Sequence, residues 1–165
     1  MTMPVSVQLS QRILMKAEEM RRLCEGIDEE TAARAPADRW SPKQILSHLS
    51  GPEGGSFVAS IQTILERDTP RIDIEAENPF FTEKRSRMTL AELLATFMNE
   101  YSQVAALVSK LSEAQLNRRA YVPLFKDLPM GEYPTLAELI GAIAEYHMDF
   151  HVNHMREVLQ ALAAA

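Results

Sequence analysis

Apolar residues recur at intervals of three and four in four separate stretches of the chain, the spacing of helices that bury one face. Over residues 7–27 the stripe is Leu9, Ile13, Ala17, Met20, Leu23, Cys24 and Ile27, which predicts a first helix. Residues 28–39 read DEETAARAPADR, and Pro36 keeps that helix from running into the next element. A second helix is predicted to open at Ser41, where Ser41 caps, Pro42 suits the first helical position and Gln44 completes a capping box. Its apolar positions are Ile45, Leu49, Phe57, Ile61, Ile64 and Leu65. SGPEGG interrupts that stripe from residue 50, and Pro52 removes a backbone bond to the carbonyl of His48, so a kink or break is expected there.

Residues 68–87, with Pro70, Pro79 and the pair Phe80 and Phe81, read as a long surface connection. Such a link fits a crossover between parallel neighbours better than a hairpin. Thr89 and Glu92 form the capping box of a third helix, striped by Leu90, Leu93, Leu94, Phe97, Tyr101, Val104, Leu107 and Val108. A less regular stretch follows over 109–134, with a short helical turn expected at 112–116. Thr135 and Glu138 repeat the capping device and launch a last helix that the pattern carries to Leu162. The string TLAEL occurs at both 89 and 135, a short internal echo. No sustained alternation suggests strands. The expectation is an all-α fold: one domain over 1–165, a four-helix bundle with a long crossover connection between helices 2 and 3.

Composition narrows the function classes. The chain has 165 residues with 17 Lys and Arg against 23 Asp and Glu, a net charge of −6 that disfavours nucleic acid and anionic membrane surfaces as partners. A single cysteine, Cys24, excludes an internal disulfide framework and fits a reducing compartment. The first residues, MTMPVSVQLSQR, hold no apolar run of signal-peptide length, so a cytoplasmic location is expected. Cys24 itself lies on the apolar stripe of helix 1 and reads as an inert core thiol.

The four histidines carry the chemistry. His48 lies early in helix 2, and His147, His151 and His154 lie together in YHMDFHVNH on helix 4. On a regular helix Ile140, Ile143, His147, His151, His154 and Val158 fall within an arc of about 80°, so an apolar stripe continues as a run of imidazoles. Burying these rings unpartnered costs about 1–3 kcal/mol for each orphaned polar group. A divalent cation resolves the cost by taking one nitrogen from each ring while the other donates to an oxygen. By spacing, His147 with His151 or His151 with His154 can close on one ion, and the third ligand must come from another helix, where His48 is the only histidine available. No Glu-x-x-His or His-Glu-x-x-His string occurs, which disfavours a carboxylate di-iron centre or a zincin site.

RWSPKQILSHL at 39–49 together with TLAELIGAIAEYHMDFHVNH at 135–154 resembles the DinB/YfiT-like superfamily of metal-dependent four-helix-bundle proteins. The resemblance implies a three-histidine metal site, with His48 matching the helix 2 ligand and His147 and His151 the helix 4 pair. His154 falls where many relatives carry another polar residue, and is placed behind the ligands or in the pocket wall. One departure is that Pro52, Gly54 and Gly55 interrupt helix 2 where relatives continue helical. The resemblance further implies a divalent metal (zinc, nickel or iron), a low-molecular-weight thiol, a small-molecule substrate and a thiol S-transferase or related activity. Pairing of chains into a homodimer is also implied.

The remaining candidates are weaker. Glu53, close to His48 in sequence, is a candidate pocket carboxylate, and no general base is named. Arg118 and Arg119 are candidates for binding the carboxylates of a thiol cofactor. Trp40, just before the helix 2 cap, reads as a hydrophobic staple. The competing reading is a non-catalytic stress or small-ligand-binding bundle in which the histidines form a polar core layer.

Overall fold

Four capping boxes set the frame. In the computed structural model, which describes residues 1–165, the side chains of Ser41, Thr89, Ser112 and Thr135 each accept from a backbone N–H three residues on. In each box the Gln or Glu side chain there returns the bond to the capping residue's N–H, so two of the orphan donors at each helix start are satisfied locally. The helices in chain order are α1 (Val5–Leu23), α2 (Glu29–Ala33), α3 (Pro42–Ser50), α4 (Phe57–Glu66), α5 (Glu83–Ser86), α6 (Leu90–Val108), α7 (Glu113–Leu116), α8 (Leu136–Gly141) and α9 (Met148–Ala163). Between α8 and α9, Ala142–His147 continues the same rod as a π-helical turn, so the fourth long helix runs unbroken from Leu136 to Ala163.

Three details differ from the pattern-based reading. Helix α1 stops at Leu23 rather than at 27, because Gly26 adopts φ +75° and turns the chain away after Cys24 caps the end. The stretch after it holds the short α2, capped by the Asp28 carboxylate accepting from the Thr31 N–H at 2.7 Å. The π turn is the third: it adds a residue to one turn, where the apolar spacing predicts a regular helix.

The second bundle helix is broken as expected. Helix α3 ends at Ser50, Gly51 takes φ +74° and ψ −177°, and Ser56 caps a fresh start at α4. Helix α1 packs on α6 and on the fourth long helix, and α3 packs on the same two, so α1 and α3 occupy opposite corners of the bundle. The long connection from α4 to α6 therefore joins neighbours, and its residues 70–72 pair by backbone bonds with Tyr121 of the connection before α8. One continuous cluster of buried apolar side chains fills the interior, from Ile13 and Met20 on α1 through Phe97 on α6 to Met148 and Met155 on α9. No helix is long and apolar enough to cross a membrane.

Candidate metal centre

The histidines meet where α3 faces the junction of the π turn and α9. His48 sits in the last turn of α3, His147 ends the π turn, and His151 lies one turn into α9. His48 and His151 are almost wholly buried, with 4% and 2% of their surface exposed, and His147 is half-buried. The Nε2 atom of His147 lies 2.9 Å from Nε2 of His48 and 3.1 Å from Nε2 of His151, and the ligating atoms of all three fall within 4.8 Å of one another. Two nitrogens bound to one zinc ion at about 2.0–2.1 Å stand roughly 2.9–3.4 Å apart for angles between square and tetrahedral. The Nε2 atom of His147 therefore already stands from each of the other two at the separation a single ion requires, and the three ligating atoms face one common point.

Hydrogen bonding alone accounts poorly for this convergence. His48 donates from Nδ1 to the backbone carbonyl of Asn78 at 2.6 Å, which leaves its Nε2 as a bare lone pair. His147 can then offer one Nε2 proton between two neighbours, or accept one from His151 and face His48 lone pair to lone pair. Protonation does not relieve the crowding at neutral pH. Burial, and next the charge of His48, hold His147 down to about 4, while burial and the charges of His147, His48 and His154 hold His151 down to about 2. Burial likewise lowers His48, against the raising effect of its bond to Asn78. Three neutral donors with one shared focus suit a divalent cation such as zinc, nickel or ferrous iron.

Aromatic rings hold the imidazoles in place. Trp40 stacks parallel to His151 with centroids 5.9 Å apart and an interplanar angle of 3°, and also touches His48 and His154. Phe80, from the crossover, lies parallel to His48 at 6.1 Å. On the open side, His48 and His147 border a cleft of about 510 Å³ walled by the broken end of α3, by α4, by residues 71–75 of the crossover, and by Glu100, Tyr101 and Ile143.

The architecture and this site can be compared with known proteins. A family model described as the DinB superfamily matches residues 14–155. The chain belongs to the DinB superfamily. The solved structure of YfiT from Bacillus subtilis, described as a probable metal-dependent hydrolase with an unusual four-helix bundle topology, is similar with a TM-score of 0.79. That likeness covers 96% of this chain and 87% of the other at 18% sequence identity, so it bears on the fold. No curated protein matches the chain significantly.

Among the residues singled out in this DinB-superfamily sequence, His48, His147 and His151 are brought together, and His154 stands behind them with Nδ1 3.4 Å from Nδ1 of His151. Glu53 is not brought in: it lies exposed in the Gly51–Gly55 break, off the cleft wall, where its charge faces Arg85. Arg118 and Arg119 do not reach the site either. Arg118 donates to the carbonyls of Ile64 and Arg67, both at 2.8 Å, closing the end of α4, and Arg119 donates to the Tyr133 carbonyl at 2.6 Å. Both guanidinium groups are committed to backbone oxygens. Trp40 does pack at the mouth of α3, but on the histidines themselves. Asn78 and Phe80 escape a reading of the sequence, since a backbone carbonyl and a ring in an aperiodic stretch leave no pattern to find.

Proposed function

We propose that this protein is a divalent-metal-dependent enzyme whose ion is held by His48, His147 and His151, and that it transfers a low-molecular-weight thiol to an electrophilic small-molecule substrate. The observation that carries the metal reading is the convergence of three neutral Nε2 atoms at 2.9 and 3.1 Å, with His48 locked by its bond to Asn78. When bound, a divalent ion with neutral nitrogen ligands supplies an open coordination position and lowers the pKa of a thiol or water placed there. The chain's own residues do the rest. The Asn78 carbonyl fixes the His48 tautomer so that its Nε2 lone pair points inward. Trp40 and Phe80 pin the ring planes of His151 and His48. The cleft at His147 admits a small molecule to the imidazole focus from one side. No carboxylate belongs to the cluster, so the ligand set leaves the ion's charge undiminished for a bound anion.

The printed description of YfiT as a probable metal-dependent hydrolase supports metal use and makes water the rival nucleophile. Metal analysis of the purified, saturated protein tests the first step: about one ion per chain is expected, falling below about a tenth in His48→Ala, His147→Ala and His151→Ala with helical circular dichroism retained. Metal-dependent loss of free thiol in the presence of monochlorobimane is expected for the transferase. Saturated protein that holds no ion overturns the proposal, and an ion-loaded protein that consumes no thiol overturns its transferase part.

A further inference from the structure

The cleft beside the histidines has a chemical bias of its own, and the inference drawn from it rests on the thiol reading above. Four charged side chains line it: Arg71, Asp73, Glu75 and Glu100. The one cation is already matched, since Arg71 donates from Nε to both carboxylate oxygens of Asp73 at 3.0 and 3.2 Å. Glu75 accepts from the Asn78 side-chain amide at 2.7 Å. Glu100 accepts the Phe57 N–H on Oε1 at 2.7 Å, which orients the carboxylate at the start of α4, and its Oε2 meets no protein donor. The wall is thus acidic once its internal pair is set aside.

An independent feature lies next along α6. Tyr101 is 4% exposed, lines the cleft, and packs its ring on Phe97 at 4.9 Å, yet its hydroxyl has no protein partner. It is not a sealed orphan, because no side-chain oxygen without a partner is shut off from solvent. Its hydroxyl therefore keeps a narrow contact with solvent, and the cleft is the open space that Tyr101 lines. A buried phenol with an unspent proton is costly unless a ligand or water accepts from it.

We infer that the cleft selects a thiol whose far end carries an amine, bound as the ammonium by Glu100, with Tyr101 donating a hydrogen bond to an acceptor oxygen at that end. Anionic thiols are disfavoured by the same wall. A neighbouring carboxylate and phenol at consecutive positions of one rigid helix give the two contacts a fixed spacing.

Four simple thiols separate the contributions: cysteamine, 2-mercaptoethanol, 3-mercaptopropionate and N-acetylcysteamine. Each is titrated against cobalt-loaded protein and followed by the thiolate-to-cobalt absorption band, with cobalt content measured on every variant. Cysteamine is expected to bind about tenfold more tightly than 3-mercaptopropionate, with 2-mercaptoethanol between them. Glu100→Gln, whose amide oxygen can still accept from Phe57, should cut the ratio of cysteamine to 3-mercaptopropionate affinity about tenfold, the differing acidities of the thiols being common to both proteins, and leave N-acetylcysteamine unchanged. Tyr101→Phe should weaken N-acetylcysteamine, which carries a carbonyl, and leave cysteamine unchanged. If 3-mercaptopropionate binds as well as cysteamine, or if Glu100→Gln leaves the ratio of the two affinities as it is in the parent, the inference fails while the thiol reading stands. If no thiol perturbs the cobalt spectrum, both fall.

Discussion

Single imidazoles set the acid limit of this molecule. His147 and His151 titrate at about 4 and about 2, below the ordinary 6.5, chiefly because burial penalises their charged forms. In the metal-free protein the unfolded chain therefore binds protons below pH 6.5 that the folded chain refuses, so stability rises with pH across the window from about 4 to 6.5. Each ring withdraws up to about 1.4 kcal/mol per pH unit as the solution is acidified through that window. Metal-free protein is expected to melt several degrees lower at pH 5 than at pH 7.5, and His151→Gln should flatten the slope. A profile that is level over that range in the parent chain contradicts the burial argument. What the sequence made legible at this scale was the ligand spacing: His147 and His151 four apart on one helix face, with a single histidine elsewhere to complete a set. What it hid was everything that acts through backbone. The Asn78 carbonyl on His48 and the carbonyls that engage Arg118 and Arg119 carry no residue-type signature, so the two arginines read as free when they are not.

At the level of elements, helix starts were the most readable features, because a capping box is a local bond pair that needs no tertiary context. The π turn at Ala142–His147 was not, since it is fixed by how Ala144 and Met148 reach the core, both almost wholly buried, while His147 turns to His48. The interrupted second helix shows the opposite balance: Pro52 announced the break, but its purpose lies in Arg85. That side chain, 5% exposed, donates from Nη1 toward the Ser47 carbonyl at 3.0 Å, the Ser47 hydroxyl at 3.1 Å, the Gly51 carbonyl at 2.5 Å and the Phe80 carbonyl at 3.4 Å. One guanidinium thus ties the end of α3 to the crossover that carries Asn78 and Phe80, fastening both partners of His48. Arg85→Lys keeps a charge but carries its nitrogen one bond short of where Nη1 meets these oxygens, and it is expected to weaken zinc affinity about tenfold by loosening His48, as read by competition with a chromophoric chelator. Gly51→Ala acts on the same joint from the backbone side. The φ of +74° with ψ of −177° belongs to glycine almost alone, so the variant should lose about 1–3 kcal/mol in urea unfolding although no atom obstructs the new methyl. A Gly51→Ala variant as stable as the parent would mean the break can be rebuilt without the strained turn.

Across the whole molecule, the site joins parts of the chain that the bundle only packs side by side. His48 and His147 are 99 residues apart, one on the second bundle helix and one on the fourth, and the crossover leans on His48 through Asn78 and Phe80. The apolar core supplies the bundle without them, since it runs from α1 to α9 as one cluster. An ion bound at the three rings therefore acts as a cross-link that the native state alone can use. Its effect follows from mass action: at free metal about a thousandfold above the dissociation constant, folding gains about 4 kcal/mol. For a domain of this length each kcal/mol moves the midpoint by roughly 2–4 °C, so zinc should raise the melting temperature by about 8–16 °C over protein stripped with a chelator. The same addition to His48→Ala, in which the second helix offers no ligand, should shift the midpoint by less than about 2 °C. A histidine layer that merely fills the core, as in a ligand-binding bundle, predicts equal melting with and without chelator. Scanning calorimetry on the two proteins, each with and without zinc, separates these cases in one comparison, because only coordination across α3 and α9 makes the gain depend on residue 48.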